Sequence, residues 1–148
     1  MPRIDIATLA PVRMDSDYPP PFDEPARGRV IRDISAAGGA TDWNANHVVP
    51  PGAWSSQRHW HAGEDEIVVI LSGAATLIDD DGRHPMHAGE IAVFPKNDGN
   101  GHHFINDGDA DYTLLALGVP EASLVTYPDI DLLYSPETGE THRDGSPY

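Results

Sequence analysis

Between residues 29 and 118 the chain never runs apolar for long before a turn signal stops it. The runs include Val30-Ile31, Val48-Val49, Ile67-Val68-Val69-Ile70-Leu71, Ala75-Thr76-Leu77-Ile78, Ile91-Ala92-Val93-Phe94 and Leu114-Leu115-Ala116-Leu117. The breaks include Gly38-Gly39, Pro50-Pro51-Gly52, Asp80-Asp81-Gly82 and Asn106-Asp107-Gly108. Segments this short, rich in β-branched residues, suit pleated strands, whereas an amphipathic helix needs a longer stripe at 3.6-residue spacing. Asp81-Gly82 has the chemistry of a tight hairpin turn, because both positions tolerate positive φ. Short strands at this spacing predict an all-β, antiparallel sandwich or barrel.

The flanks read differently. Residues 1–28 hold six of the 14 prolines, including Pro19-Pro20-Pro21. Proline fixes φ and removes a backbone donor, so this segment is expected as an extended arm outside any sheet interior. From 119 to 148, Pro120, Pro128, Pro136 and Pro147 again indicate extended or looped chain. The reading is therefore one domain: an arm over 1–28, a barrel over 29–118 and a tail over 119–148. An N-terminal arm can wrap its own barrel or a neighbour's. Exchange between two protomers is the expectation, giving a homodimer, since barrel edges invite pairing.

Charge narrows the partners. The chain carries 9 Lys and Arg against 24 Asp and Glu, a formal net charge of −15. A basic footprint for nucleic acid is absent, and an anionic membrane surface repels such a chain. A small-molecule ligand is the expected partner. Without cysteine there is no disulfide framework and no thiolate metal site. The stretch Met1-Pro2-Arg3-Ile4-Asp5-Ile6 lacks the apolar core of a signal peptide, so the expected location is cytoplasmic.

Histidines supply the chemistry. If Ala53 to His61 is extended, Gln57, His59 and His61 share one face and Arg58 and Trp60 take the other. Ala62-Gly63-Glu64-Asp65 reads as a solvated turn that folds Glu66, at the head of the next strand, back beside the two imidazoles. Beyond Gly89-Glu90, Pro95 closes the run Ile91–Phe94. A polar loop from Lys96 to Gly101 then leads into His102-His103-Phe104-Ile105-Asn106. His102 and Asn106 fall on one face of that segment and His103 on the other, as a structural residue. Three neutral imidazoles and one carboxylate suit one divalent transition metal such as Mn, Fe, Co, Ni or Zn. Gln57 and Asn106 lie on the ligand face as candidates to orient the site or the substrate.

The stretch Gly52-x6-His59-x-His61-x4-Glu66-x6-Gly73 resembles the first motif of the cupin superfamily. Gly89-x5-Pro95-x3-Gly99-x2-His102-x3-Asn106 resembles the second. The first carries one extra residue between Gly52 and His59, and the second carries two between Pro95 and Gly99. All fall in turn-like sequence, where insertions are tolerated. The resemblance implies a jelly-roll barrel, a double-stranded β-helix, with His59, His61, Glu66 and His102 as ligands of a metal inside it. The flanks are similar to small bacterial single-domain cupins described as sugar-phosphate-isomerase-like.

Three functions fit such a site. One is a metal-dependent isomerase of a sugar phosphate or related polyol, which the subfamily resemblance favours. Another is a metal-dependent oxygenase of a small organic substrate. The third is a non-catalytic module that binds a small ligand. A phosphate needs a cationic partner. Lys96, the sole lysine, sits beside the second motif, and Arg58 is expected to face away from the lumen. His47, His84, His87 and His142 are read as surface or interface residues, and Trp54 and Trp60 as core or interface aromatics.

Overall fold

The computed structural model describes residues 3–13, 16, 18–34, 44–119 and 123–148. Gly38-Gly39 and Pro120 lie outside them. In chain order the strands are β1 (Val12–Arg13), β2 (Val30–Asp33), β3 (Asn44–Val49), β4 (Trp60–His61), β5 (Asp65–Ser72), β6 (Ala74–Asp79) and β7 (Gly82–His87). They continue with β8 (Ile91–Phe94), β9 (His103–Ile105), β10 (Tyr112–Val119), β11 (Val125–Tyr127), β12 (Leu132–Ser135) and β13 (Gly139–Thr141). The helical elements among the described residues are two single 3-10 turns, Ile6–Thr8 and Glu24–Ala26. None is long and apolar enough to cross a membrane.

One wall of the barrel is a six-stranded sheet in the order β1-β2-β3-β10-β5-β8, with every pairing antiparallel. The other wall begins with β7-β6-β9. Isolated bridges Trp54↔Ile105 and His59↔His102 continue it onto the segment before β4. From β4 it passes to β11, β12 and β13. This is the expected all-β jelly roll.

Register decides what enters the lumen. Ile31 pairs with His47, His47 with Leu114, Leu114 with Ile70, and Glu66 with Phe94. Directly opposed residues share a face, so period-two alternation points these side chains inward. The same parity sends Val68, Ala116 and Ala92 inward, and Val49, Val68, Ile70, Phe104, Tyr112 and Leu114 form the buried core. Ile91 and Val93 stand on the opposite parity of β8 and are exposed. Gly73 makes the close turn from β5 to β6. Its φ is +75°, and a Cβ there would lie 2.8 Å from the Asp111 carbonyl oxygen, so the position demands glycine.

Both arms are extended, and both are docked. The carbonyl of Pro25 accepts from the Trp54 N–H at 2.7 Å, and the Gln57 amide Nε2 donates to the Phe22 carbonyl at 2.6 Å. Tyr18 meets Tyr127 edge-on with ring centroids 5.6 Å apart. The N-terminal arm thus packs against the barrel of the same chain. The C-terminal tail is an ordered three-stranded meander on β4. Val125, Tyr127 and Leu132 beneath it form a second small core with Tyr18 and Ile130. Pro128 and Pro136 fall between strands, where the missing donor costs no ladder hydrogen bond.

Candidate metal centre

Each candidate ligand is placed by a different piece of the fold. His59 sits at the bridge to His102, exchanging both backbone hydrogen bonds with it at 3.1 and 2.9 Å. His61 ends β4, and Glu66 enters the lumen from β5. Phe94, the partner of Glu66 in the register, stacks on the His102 ring with centroids 3.5 Å apart and an interplanar angle of 4°. An aromatic floor of this kind holds the imidazole in one plane and keeps water from that side.

The polar atoms converge on one oxygen. His102 Nε2, His61 Nε2 and His59 Nε2 lie 2.8, 3.4 and 3.9 Å from Glu66 Oε2. Donor atoms of His59, His61 and Glu66 all fall within 4.8 Å of one another, and His102 joins them through Glu66. Relative exposures of 9% for His61, 6% for Glu66 and 2% for His102 place the cluster inside the barrel.

The outer ring nitrogens fix the tautomers. A carbonyl can only accept, so the 2.8 Å contact of His59 Nδ1 with the Gln57 carbonyl is an Nδ1–H donation. That leaves the lone pair on His59 Nε2, facing Glu66. His61 Nδ1 lies 3.1 Å from Glu64 Oε1, which sets the same tautomer through a carboxylate. With no metal bound, the Nε2–H groups of His102 and His61 face Glu66; a borderline divalent ion would displace those protons and meet ring nitrogens beside a buried carboxylate oxygen, so the donor set fits a metal.

Electrostatics agree. Burial pushes the His59 imidazole down to about 3, reinforced by His102 and only partly opposed by Glu66. At neutral pH it is an uncharged ring able to serve as a ligand. For His61, burial pulls downward, but the hydrogen bond and charge of Glu66 and the charge of Glu64 outweigh it and raise the ring above its ordinary 6.5. Burial would raise the Glu66 carboxyl, yet hydrogen bonds from His102 and His61 hold it well below the usual carboxylate range. The lone carboxylate of the donor set is therefore ionised.

Several residues sit where the sequence did not place them. Gln57 is buried but turned away, because bends between Ser55 and Arg58 break the alternation, and its amide secures the Phe22 carbonyl instead. Only its backbone oxygen serves the site. Asn106 spends its side chain on the loop after β9. Its Nδ2 donates to the carbonyls of Val49 and Ala110, at 2.8 and 2.9 Å, and its Oδ1 accepts from Gly108 N–H at 3.1 Å. Lys96 is exposed in the loop after β8 and does not line the cavity. Arg58 faces out as expected, bonded to Asp129 and Asp80. Glu64, read as a solvated turn residue, is 1% exposed. Gly63 presses this turn onto the segment before β11: its N–H donates to Ser123 Oγ at 2.8 Å, and a Cβ there would lie 2.7 Å from the Ser123 Cβ. That contact packs Glu64 inward.

A consequence is measurable. Protons compete with metal at His61, so affinity should fall as pH drops through its raised pKa, starting above 6.5. Glu64→Gln removes one of the two carboxylates that raise it. We expect metal affinity at pH 7 to fall by roughly tenfold, and the pH-dependent loss to move to lower pH. Competition with a chromophoric chelator between about pH 8 and pH 5 reads both, spanning the ordinary histidine range. An unchanged affinity and profile would remove Glu64 from the site.

The cluster opens onto a cavity of about 200 Å³. Its walls include Tyr18, Arg29, His47 and His103 besides the candidate ligands. His47, expected at the surface, faces this lumen from β3, since it pairs with Leu114 on the inward row. Burial, with the charge of Arg29, pushes its ring down to about 3. His103 donates from Nδ1 to the Ser56 carbonyl at 3.1 Å and packs edge-on against Trp54, while its ring still lines the cavity.

Known proteins share this arrangement of sequence and fold. The Cupin domain family matches residues 46–118, which span both motifs. Protein SchB of Streptomyces halstedii is 30% identical over 129 residues, covering 87% of this chain and 89% of that protein. The crystal structure of a cupin-superfamily sugar phosphate isomerase from Silicibacter pomeroyi DSS-3 superposes with a TM-score of 0.87 at 35% identity. The match covers 99% of this chain and 96% of that one. The polyketide cyclase RemF of Streptomyces resistomycificus shares the fold alone, with a TM-score of 0.68 at 17% identity over 86% of this chain and 85% of that one. With a barrel of this topology and a His-His-Glu cluster able to hold a metal ion, the chain belongs to the cupin family.

Proposed function

We propose that this protein is a metal-dependent isomerase that exchanges the carbonyl and hydroxyl of adjacent carbons in a small sugar phosphate or related polyol. The observation that carries the reading is the near full-length match to the Silicibacter pomeroyi sugar phosphate isomerase. It rests on sequence identity and fold together, where the cyclase resemblance rests on fold alone. His59, His61, Glu66 and His102 would hold a divalent ion, which would supply Lewis-acid stabilisation of negative charge on a substrate oxygen.

The chain's own residues supply the rest. His47 and His103 line the cavity outside the donor set. His103 keeps its Nδ1–H on Ser56, so its Nε2 is an acceptor, and His47 Nδ1 is buried without a hydrogen-bond partner. Either ring can take a proton from one carbon and return it to the next. Phe94, Phe104 and Leu114 surround the site with apolar surface and limit water. The cavity is smaller than the roughly 300–1,000 Å³ of drug-sized sites, which favours a short substrate.

The test is isomerisation of a panel of aldose and ketose phosphates in D₂O, followed by NMR, with manganese- or zinc-loaded protein. Conversion with deuterium entering the carbon next to the carbonyl is expected, and its disappearance in His61→Ala. Stable metal loading with no conversion and no exchange across the panel would contradict the isomerase. Oxygen uptake by the iron-loaded protein with the same compounds would move the assignment to an oxygenase.

A further inference from the structure

Arg29 is the cavity residue that neither the donor cluster nor the ion-pair pattern of the chain accounts for. It directly precedes β2 and shares the inward parity of Ile31, which pairs with His47. The residue is 6% exposed and lines the same cavity as His59, His61, Glu66 and His102. Its NH1 donates to the Ser55 carbonyl, and its Nε is buried with no hydrogen-bond partner. Among the described residues, no Asp or Glu is within ion-pair distance of it. Elsewhere Arg27 is bridged to Asp23, Arg58 to Asp80 and Asp129, and Arg83 to Asp107, while Arg143 donates to backbone carbonyls and Arg32, whose Nε is likewise buried without a hydrogen-bond partner, does not line the cavity.

The chain carries 24 acids against 9 bases, so acidic partners for a cation are abundant. A buried guanidinium left without one is costly, because its charge loses water and gains no counterion. Such a group also presents a planar fork of N–H donors that matches the oxygens of a carboxylate or phosphate. His47, which pairs with Ile31 two residues along and lines the same cavity, is an uncharged ring whose Nδ1 has no hydrogen-bond partner, and it adds a hydrogen-bonding site without competing charge.

We propose that Arg29 is the anchor for an anionic oxygen group of the ligand, a phosphate or a carboxylate, holding it inside the barrel lumen within reach of the metal cluster. The assignment rests on the isomerase reading for the identity of the substrate, and on the cavity alone for the anion. It replaces Lys96 and Arg58, which stand outside the lumen, as the cationic partner a sugar phosphate requires. An acidic protein can thereby take an anionic ligand, because the charge that matters is the local one within the low-dielectric cavity.

Calorimetric titration of zinc-loaded protein with inorganic phosphate and with acetate tests this and separates the two anion types. One anion should bind at one site per chain. Arg29→Met should weaken it by roughly 10- to 100-fold, the range of one or two charge-assisted hydrogen bonds, and Arg29→Lys by less. Because Arg29 also braces the Ser55 carbonyl, the wild-type chain provides a reading that needs no substitution. The Arg29 Nε–H resonance should shift on saturation with the anion that binds. Unchanged affinity in Arg29→Met, or no shift of that resonance with either anion, would overturn the proposal. Arg29-dependent anion binding without any isomerisation would support the anchor while removing the isomerase reading. Normal sugar phosphate turnover by Arg29→Met at unchanged KM would remove the anchor and leave the isomerase.

Discussion

His61→Ala is expected to abolish stable metal binding, a loss of more than the roughly 10–100-fold typical of removing an outer partner. The ring is central to the cluster, with Nε2 3.4 Å from Glu66 Oε2 and Nδ1 3.1 Å from Glu64 Oε1. Truncation removes a ligand and leaves Glu64, at 1% exposure, as a buried carboxylate without the partner that orients it. A fall in stability of the metal-free protein should accompany the lost affinity. Equilibrium dialysis reads the first effect and chemical denaturation the second. Full retention of one ion per chain in this variant would contradict the ligand assignment.

Glu66→Gln should have the next largest effect, and of a different kind. The substitution keeps size and removes the one carboxylate on which the three Nε2 atoms converge. With only neutral donors left, affinity for every divalent ion should fall by about 100-fold or more, and preference should shift toward ions that favour imidazole over oxygen. His61 also loses the first of the groups that raise its pKa, so the metal-free ring should titrate at lower pH than in the wild type. Histidine NMR in the metal-free protein follows that change directly. Equal affinity for manganese and zinc in variant and wild type would show that Glu66 is not a ligand.

How much of this could be read from the chain depends on what each feature rests on. Strand runs such as Ile67–Leu71 and Ile91–Phe94 carry their own β-branched signal, and both became strands of the six-stranded sheet. The gathering of His59, His61 and Glu66 followed from spacing, because a turn and a two-residue period act locally. Gln57 failed for the same local reason in reverse: four residues of bend precede His59, and alternation cannot be projected through a bend. Glu64 was missed because an acidic residue in a turn is normally solvated, and its burial follows from the contact of Gly63 with Ser123, 60 residues further along the chain. Arg29 and His47 needed the pairing of β2 with β3 and of β3 with β10, which only the closed sheet fixes. Once that register is known, Arg29, Ile31 and His47 are seen to share the inward face. The C-terminal meander was hidden by Pro128 and Pro136, which sit between short strands whose stability comes from packing Tyr127 and Leu132.

The central claim is that His59, His61, Glu66 and His102 hold one transition metal. Plasma mass spectrometry on protein purified without a nickel column tests it most directly, comparing wild type with His61→Ala. The account predicts about one Mn, Fe, Co, Ni or Zn ion per wild-type chain, and none retained by the variant. Absence of metal from the wild type, even after reconstitution with each of these ions, would contradict it.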